Sequence, residues 1–212
     1  MAIALAGGAL GSVHVREPAR VSAPAPQLLG RSDQGRPIFV VRVGNPTGPR
    51  VLVFGCIHGD ETAGIPIARA LQRVRTRDDV WIVPDLNPDG VAHGTRQDAR
   101  GVDLNANWSS EWRRGGVPWD PYYGGARPFS ERETRIARAL IERIHPRVTI
   151  WYHQHMDVVW AFGGSTAAGR TYARLTGMRN VFAGRVVAAT DGGLEVATDR
   201  FAVREILVVL LA

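Results

Sequence analysis

Apolar runs of strand type alternate along the chain with runs of helical spacing. Ile38 to Val43 (IFVVRV) and Val51 to Ile57 (VLVFGCI) are rich in β-branched residues, and the GNPTGP between them is turn chemistry, so the pair predicts a hairpin. From about Thr62 to Arg75, Ile65, Ala68, Leu71 and Val74 recur on one helical face; VWIV (Val80 to Val83) then predicts a strand that PDLNPDG closes. A polar, glycine-rich stretch from Gly90 to Pro128 is far longer than the usual connection, and such loops tend to carry function. Ser130 and Glu133 have capping-box spacing before a helix whose apolar face is Ile136, Ala137, Leu140, Ile141 and Ile144. Pro146 ends that helix, and RVTIWYH predicts a buried strand that delivers His153 at its carboxyl end.

This alternation predicts an α/β fold: a mixed, mostly parallel sheet flanked by helices on both faces. Ligands of such sheets gather at the carboxyl ends of strands. His58 and His153 both fall at such ends.

Composition narrows the picture. A chain of 212 residues suits one domain, and a domain of that size buries roughly 70% of its unfolded surface. Hydrophobic residues at 45% and charged residues at 22% are ordinary globular values, which argues against disorder, fibres and polytopic membrane proteins. The net charge of +6 invites a nucleic-acid partner, but the basic residues are arginines scattered without a run that could track a phosphate backbone, so no nucleic acid is expected. Attraction to anionic polymers such as bacterial wall material remains compatible with that charge. Cys56 stands alone, so no intrachain disulfide forms, and it reads as a small buried hydrophobe.

MAIALAGGALGS is apolar but lacks a basic leader and is too short for a membrane span, so no stable membrane insertion is expected; it is compatible with the remnant of a signal peptide. EPARVSAPAPQ reads as a linker. The chain thus divides into an N-terminal segment 1–27, a folded domain 28–179 and a divergent segment 180–212. Compartment, cytoplasmic or exported, and oligomeric state are not set by these features.

The chemistry concentrates in LVFGCIHGDETAG, Leu52 to Gly64. His58 and Glu61 are three apart, and Gly59 permits the tight turn that lets both side chains converge. That is one clamp. A catalytic zinc takes three protein ligands and keeps a position open, so a distant residue must complete the set, and His153 and His155 compete for that place. Asp60 reads equally as a carboxylate favouring a helix N-terminus and as a support beside the metal.

HGDE after a strand, then PDLNPDG, ARGVDLNANW, PFSERET and a strand ending in His153 come in the order and spacing of the zinc metallocarboxypeptidases, which this chain resembles from about Leu28 to Met156. LLGRSDQGRPI, GTRQDARGVDLN and IWYHQH look most like the family's bacterial murein peptide amidase-like branch, which cleaves the γ-D-glutamyl to diaminopimelate bond of wall peptides. The resemblance implies Zn2+ on His58, Glu61 and His153, with His155 at the rim. It implies that Arg96 stabilises the developing oxyanion, that Asn105 binds the substrate's terminal carboxylate, and that Asp103 holds the loop. Ala106 departs from the family, which has an arginine there that clamps this carboxylate. Either the substrate lacks the carboxylate, Arg100 or Arg127 reaches in, or turnover is impaired.

The family's general base is a glutamate on a late apolar strand followed by leucine. Glu205 in FAVREILVV is the preferred candidate and Glu195 in GGLEVAT the other, though neither matches well. The resemblance stops at Asn180, which suggests a reading-frame change or truncation and an apolar tail, ILVVLLA, left exposed or misplaced.

The function expected is therefore zinc-dependent hydrolysis, by zinc-activated water, of a peptide or γ-glutamyl amide bond in a peptide or cell-wall peptide substrate. Two alternatives stand beside it: a deacylase of N-acyl amino acids, and a binding module that keeps the metal but has lost the chemistry.

Overall fold

A computed structural model of the chain describes residues 24–110, 112–154, 156–163, 165–182 and 205–211. Among these, eight strands form one sheet in the order β1-β2-β4-β3-β5-β8-β6-β7. The strands are β1 (Gln27–Arg31), β2 (Pro37–Gly44), β3 (Arg50–Phe54), β4 (Asp79–Val83), β5 (Val148–Gln154), β6 (Val158–Gly163), β7 (Arg179–Phe182) and β8 (Glu205–Leu211). β3 pairs parallel with β4 and β5, as do β5 with β8 and β6 with β7; the β1/β2, β2/β4 and β6/β8 pairings are antiparallel. The sheet is mixed and mostly parallel, as the alternation of elements predicts.

Four helices accompany it among the described residues: α1 (Gly64–Leu71), α2 (Pro88–His93), α3 (Arg132–Ile144) and α4 (Thr166–Thr176). Strand periodicity sends successive side chains to opposite faces, and the core divides accordingly. Leu52, Phe54 and Trp151 pack with Ala137, Leu140, Ile141 and Ile144 of α3. Val53 and Tyr152 pack on the other face with Ala68 of α1 and Ala173 of α4. Trp151 stacks on Phe54 with ring centroids 3.9 Å apart, and Trp108 from the long loop meets it edge-on. Truncating such a fully buried indole to alanine typically costs about 3–5 kcal/mol, so this stack holds β3 and β5 in the register that the site needs.

Several expectations are corrected. β2 and β3 do not form a hairpin: β4 lies between them, antiparallel to β2 and parallel to β3. A turn-rich link permits adjacency but cannot enforce it, and β4 offers both strands an apolar partner. The first predicted helix is shorter, beginning at Gly64 and ending at Leu71, with Pro66 in its first turn where a missing N–H is harmless. The capping box does not form. Glu131 is the N-cap of α3, and Ser130 Oγ donates to Glu131 Oε1 (2.6 Å) instead of capping the helix. α2 overlaps the start of the long loop; Asn87 caps it by accepting from the Gly90 N–H, and Gly94 ends it at φ 65°.

The largest correction concerns the tail. Its backbone forms β8 in the sheet interior, parallel to β5 and antiparallel to β6, rather than a misplaced end. An unbroken run such as ILVVLL suits a strand covered on both faces, where no polar alternation is required.

Candidate metal centre

The sheet aims three side chains at one point. Beyond Phe54 the chain stays beside β4: the Gly55 N–H donates to Val83 O (2.9 Å) and the Leu86 N–H to Cys56 O (2.9 Å), which carries His58 to the carboxyl edge. There the Glu61 N–H donates to His58 O (3.0 Å), closing a turn that places both side chains on one side. Gly59 is required for steric reasons, because a Cβ would stand 1.9 Å from the Gly90 carbonyl carbon. β5, the parallel neighbour of β3, supplies His153 from its carboxyl end.

His58 Nδ1 lies 2.9 Å from Glu61 Oε1, His153 Nδ1 lies 2.9 Å from Glu61 Oε2, and the two Nδ1 atoms are 3.2 Å apart. Ligands held 2.0–2.1 Å from a tetrahedral zinc are separated by about 3.3 Å, so two nitrogens and a carboxylate at these spacings fit such an ion. All three residues are buried, and among the described residues theirs is the one group of three or more such side chains close enough to share a metal.

A second layer of contacts fixes their orientation. His58 Nε2 pairs with Asp103 Oδ1 at 3.1 Å, a partner that favours the proton on Nε2 and would turn Nδ1, which also lies 3.2 Å from an Arg96 Nη, towards a metal. Arg96 donates through Nε to Asp103 Oδ2 (3.1 Å) and through an Nη to Glu61 Oε1 (3.1 Å). The Gln154 N–H donates to Glu61 Oε2 (3.0 Å).

The charges follow from these contacts. Burial disfavours ionised Glu61, but its bonds to His153 and His58 win and hold the carboxyl well below the usual range. Burial likewise penalises Asp103, and the bond to His58 with the nearby Arg96 charge overcomes it, so that carboxyl is also lowered. Burial lowers the His153 imidazole and favours the neutral ring that coordination needs. At His58 burial pulls the same way, yet the Asp103 and Glu61 bonds prevail and raise it. The Cys56 thiol, pushed up by burial and donating to His58 O, stays protonated and acts as packing.

His58, Glu61, His153 and Arg96 thus meet at the sheet's carboxyl edge. Asn105 is buried one short turn away, its N–H donating to Asp103 Oδ1 (2.8 Å). Arg100 does not replace the arginine missing at Ala106, because its Nε faces Glu131 Oε2 at 3.5 Å. Arg127 is exposed, and its carbonyl accepts from Asn107 and Ser130. Asp60 is exposed and outside the cluster, while His155 and Glu195 lie outside the described residues.

Glu205 is not brought to the site. β8 sets Glu205 beside Val148 and Leu210 beside His153, so five residues of parallel strand separate it from the His58–Glu61–His153 trio. At about 3.3 Å per residue that is roughly 16 Å, beyond hydrogen-bond reach. Reading the sequence also missed the role of Asp103. It holds His58 as well as a loop, and nothing in the primary structure links it to a histidine 45 positions earlier.

An α/β sheet that presents two histidines and a glutamate at its carboxyl edge, with an arginine donating among them, offers the donor set of a His2Glu zinc site. The zinc carboxypeptidase family model matches residues 16–192. The chain belongs to that family. Murein peptide amidase A of Escherichia coli (strain K12) is 29% identical over 149 residues, covering 64% of this chain and 62% of that protein. Carboxypeptidase B of Astacus astacus is 26% identical over 170 residues, covering 63% and 56%. The matches therefore span less than two thirds of these relatives' own lengths. Among solved structures, the murein-tripeptide amidase of Escherichia coli O157 superposes with a TM-score of 0.73 at 22% identity, covering 92% of this chain and 87% of that one. Carboxypeptidase A of Helicoverpa armigera gives 0.74 at 18% identity, covering 88% and 59%. At these identities the structures speak for the fold.

Proposed function

We propose that the protein is a zinc-dependent hydrolase of a peptide or γ-glutamyl amide bond in murein peptides. The observation that carries this reading is the trio His58, Glu61 and His153, spaced for one zinc, with Arg96 donating into it. His58, Glu61 and His153 would hold a zinc there, which would supply Lewis acidity towards a carbonyl and water near neutral pH. Arg96 is only partly buried, so part of its guanidinium is open to a substrate carbonyl and can stabilise the charge that develops there. Asn105, beside Asp103, is the residue proposed to orient the substrate.

The proton-transfer group is not among the carboxylates of this cluster. Glu61 holds both histidines, Asp103 holds His58 and Arg96, and Glu205 stands at the far end of its strand. That gap favours keeping the binding-module reading as the competitor, whereas no relative reported above favours the deacylase. The test is hydrolysis of a γ-D-glutamyl-diaminopimelate peptide by the zinc-loaded chain, followed by mass spectrometry. Product that disappears with chelator, returns with zinc and is absent in His58→Ala supports the proposal. Tight zinc and peptide binding without product identifies the binding module.

A further inference from the structure

The edge of the sheet at β1 carries a surface that the hydrolytic reading does not use. β1 stands three places from β3 in the strand order, roughly 14 Å at the usual strand spacing. α3 crosses it closely because Gly30 has no side chain: a Cβ there would stand 2.7 Å from Ile136 Cδ1. Beside that crossing a groove of about 420 Å³ opens between strand and helix, floored by Leu29, Ile136 and Leu140. Arg31, Arg132, Arg135 and Arg143 also line it. From Arg132 to Arg143 the helix rises roughly 16 Å, about the length of five residues of extended chain.

The charge of this groove is poorly compensated. Arg31 donates to Gly35 O (2.9 Å) and Arg135 to Phe129 O (3.0 Å), both uncharged carbonyls, and the Arg143 guanidinium carbon lies 5.6 Å from the Trp81 ring centroid. Among the described residues, the one carboxylate paired with any of the four is Asp33, whose Oδ1 stands 3.7 Å from Arg132 Nε. That pair is open to solvent, where such contacts are weak. Four cations around an apolar floor are complementary to carboxylates borne on apolar stems.

The neighbouring backbone narrows the occupant to a peptide. Among the described residues β1 pairs with β2 alone, so its outer edge has no strand beside it. Ile38 and Val40 pack with α3, so Phe39 between them faces the other side of the sheet, across from its partner Leu28. Both are exposed, Phe39 at 39% and Leu28 at 47%. A strand laid along β1 therefore turns alternate side chains to the arginine groove and to the Leu28–Phe39 pair. The bulge between Leu28 and Gly30, with Arg31 beside it, discourages apolar or basic strands from joining the same edge.

We infer that β1 and α3 form a docking site for an extended segment of a partner protein in which acidic and apolar residues alternate. The segment adds to the sheet beside β1, its carboxylates meeting Arg31, Arg132, Arg135 and Arg143 and its apolar side chains covering Leu28 and Phe39. Polyphosphates and anionic membranes match the charge but offer no backbone that can join a sheet.

The test uses the zinc-loaded full chain and a fluorescent, end-capped heptapeptide of alternating Glu and Val. Kd is read from anisotropy, and amide hydrogen exchange is followed over β1. The expected result is saturable binding that slows exchange in β1, weakens with added salt, and weakens about tenfold in Arg132→Glu and again in Arg143→Glu. An N-methylated version of the probe keeps the charges but cannot pair with a strand, and is expected to lose about tenfold or more. This second probe leaves the protein untouched and keeps the test decisive if a substitution disturbs α3. No binding by the parent chain, equal binding of the N-methylated probe, or equal binding of a Lys–Val peptide overturns the inference. Polyphosphate or phosphatidylglycerol vesicles that bind more tightly than the peptide, through the same arginines, overturn it in favour of a non-protein polyanion.

Discussion

Asp103 Oδ1 sits 3.1 Å from His58 Nε2 while His58 Nδ1 faces Glu61 and His153, so one fully buried carboxylate decides which nitrogen of the ring is offered to a metal. Partners of this kind raise ligand basicity and lock the tautomer, and their loss typically weakens metal binding by about 10–100-fold. Asp103→Asn keeps the shape but removes the charge that both His58 and Arg96 use. Its zinc affinity, measured against a competing chelator, is expected to fall within that range. Unchanged affinity would show that the Asp103 contact does not orient His58.

On the proposed function, Arg96 serves the chemistry more than the metal. It bridges Glu61 and Asp103, yet neither contact is a metal bond. Arg96→Ala is therefore expected to retain zinc, by metal analysis of the dialysed protein, while kcat drops about 10²- to 10³-fold, the loss usual for one donor to a developing oxyanion. A variant that loses its zinc as well would make Arg96 a structural support of the centre.

The primary structure conveyed this site unevenly, for physical reasons. His58, Glu61 and His153 come from the family resemblance together with their places at strand ends, and the sheet brings their donor atoms within 3.2 Å. A sheet flanked by helices on both faces followed from the alternation of elements. Strand neighbours did not follow, because pairing is decided by non-local burial: β4 displaced the expected hairpin and β8 took an interior place. Ser130 was misread as a cap because its hydroxyl found a closer acceptor in Glu131. The apolar run after Glu205 is what suggests it as a base. The direction of β8 places that residue at its amino end, which no composition argument reveals.

Gly59 is the position where the backbone itself limits the site. A methyl group there meets the Gly90 carbonyl carbon at 1.9 Å and the Val91 nitrogen at 2.3 Å, both backbone atoms that cannot rotate aside. Gly59→Ala must push the His58 to Glu61 turn away from α2. Displacements near 1 Å at a catalytic centre cost about a hundredfold in rate. The variant is expected to lose zinc on dialysis and to unfold at a lower temperature; full zinc retention with parental thermal stability would refute this account of the turn.

Buried carboxyls outside the His58–Glu61–His153 trio make stability depend on pH, Asp98 and Glu133 more than Asp85, which burial raises to about 6. Burial, with the charges of Glu131 and Glu133 beside it, pushes Asp98 up to about 7 against the hydrogen bonds it accepts from the Val102 and Arg100 N–H groups. Burial, aided by Asp89 and Glu131, pushes Glu133 up to about 7. In the unfolded chain both groups titrate near about 4. Between about pH 4 and 7 the folded protein therefore holds protons that the unfolded chain has released, so stability falls as pH rises through that window and levels off above it. Asp89, whose carboxyl is lowered by hydrogen bonds from Gln34, Ser32 and Arg36 despite its burial, acts with the opposite sign, and its contribution fades only at more acidic pH. The zinc-loaded protein is thus expected to melt at a lower temperature at pH 8 than at pH 5. Glu133→Gln keeps the acceptor for the Asp33 N–H and cannot ionise, so its melting temperature should decline less across the same interval. Parallel pH profiles for the parent and Glu133→Gln would show that this carboxyl does not hold its proton in the fold.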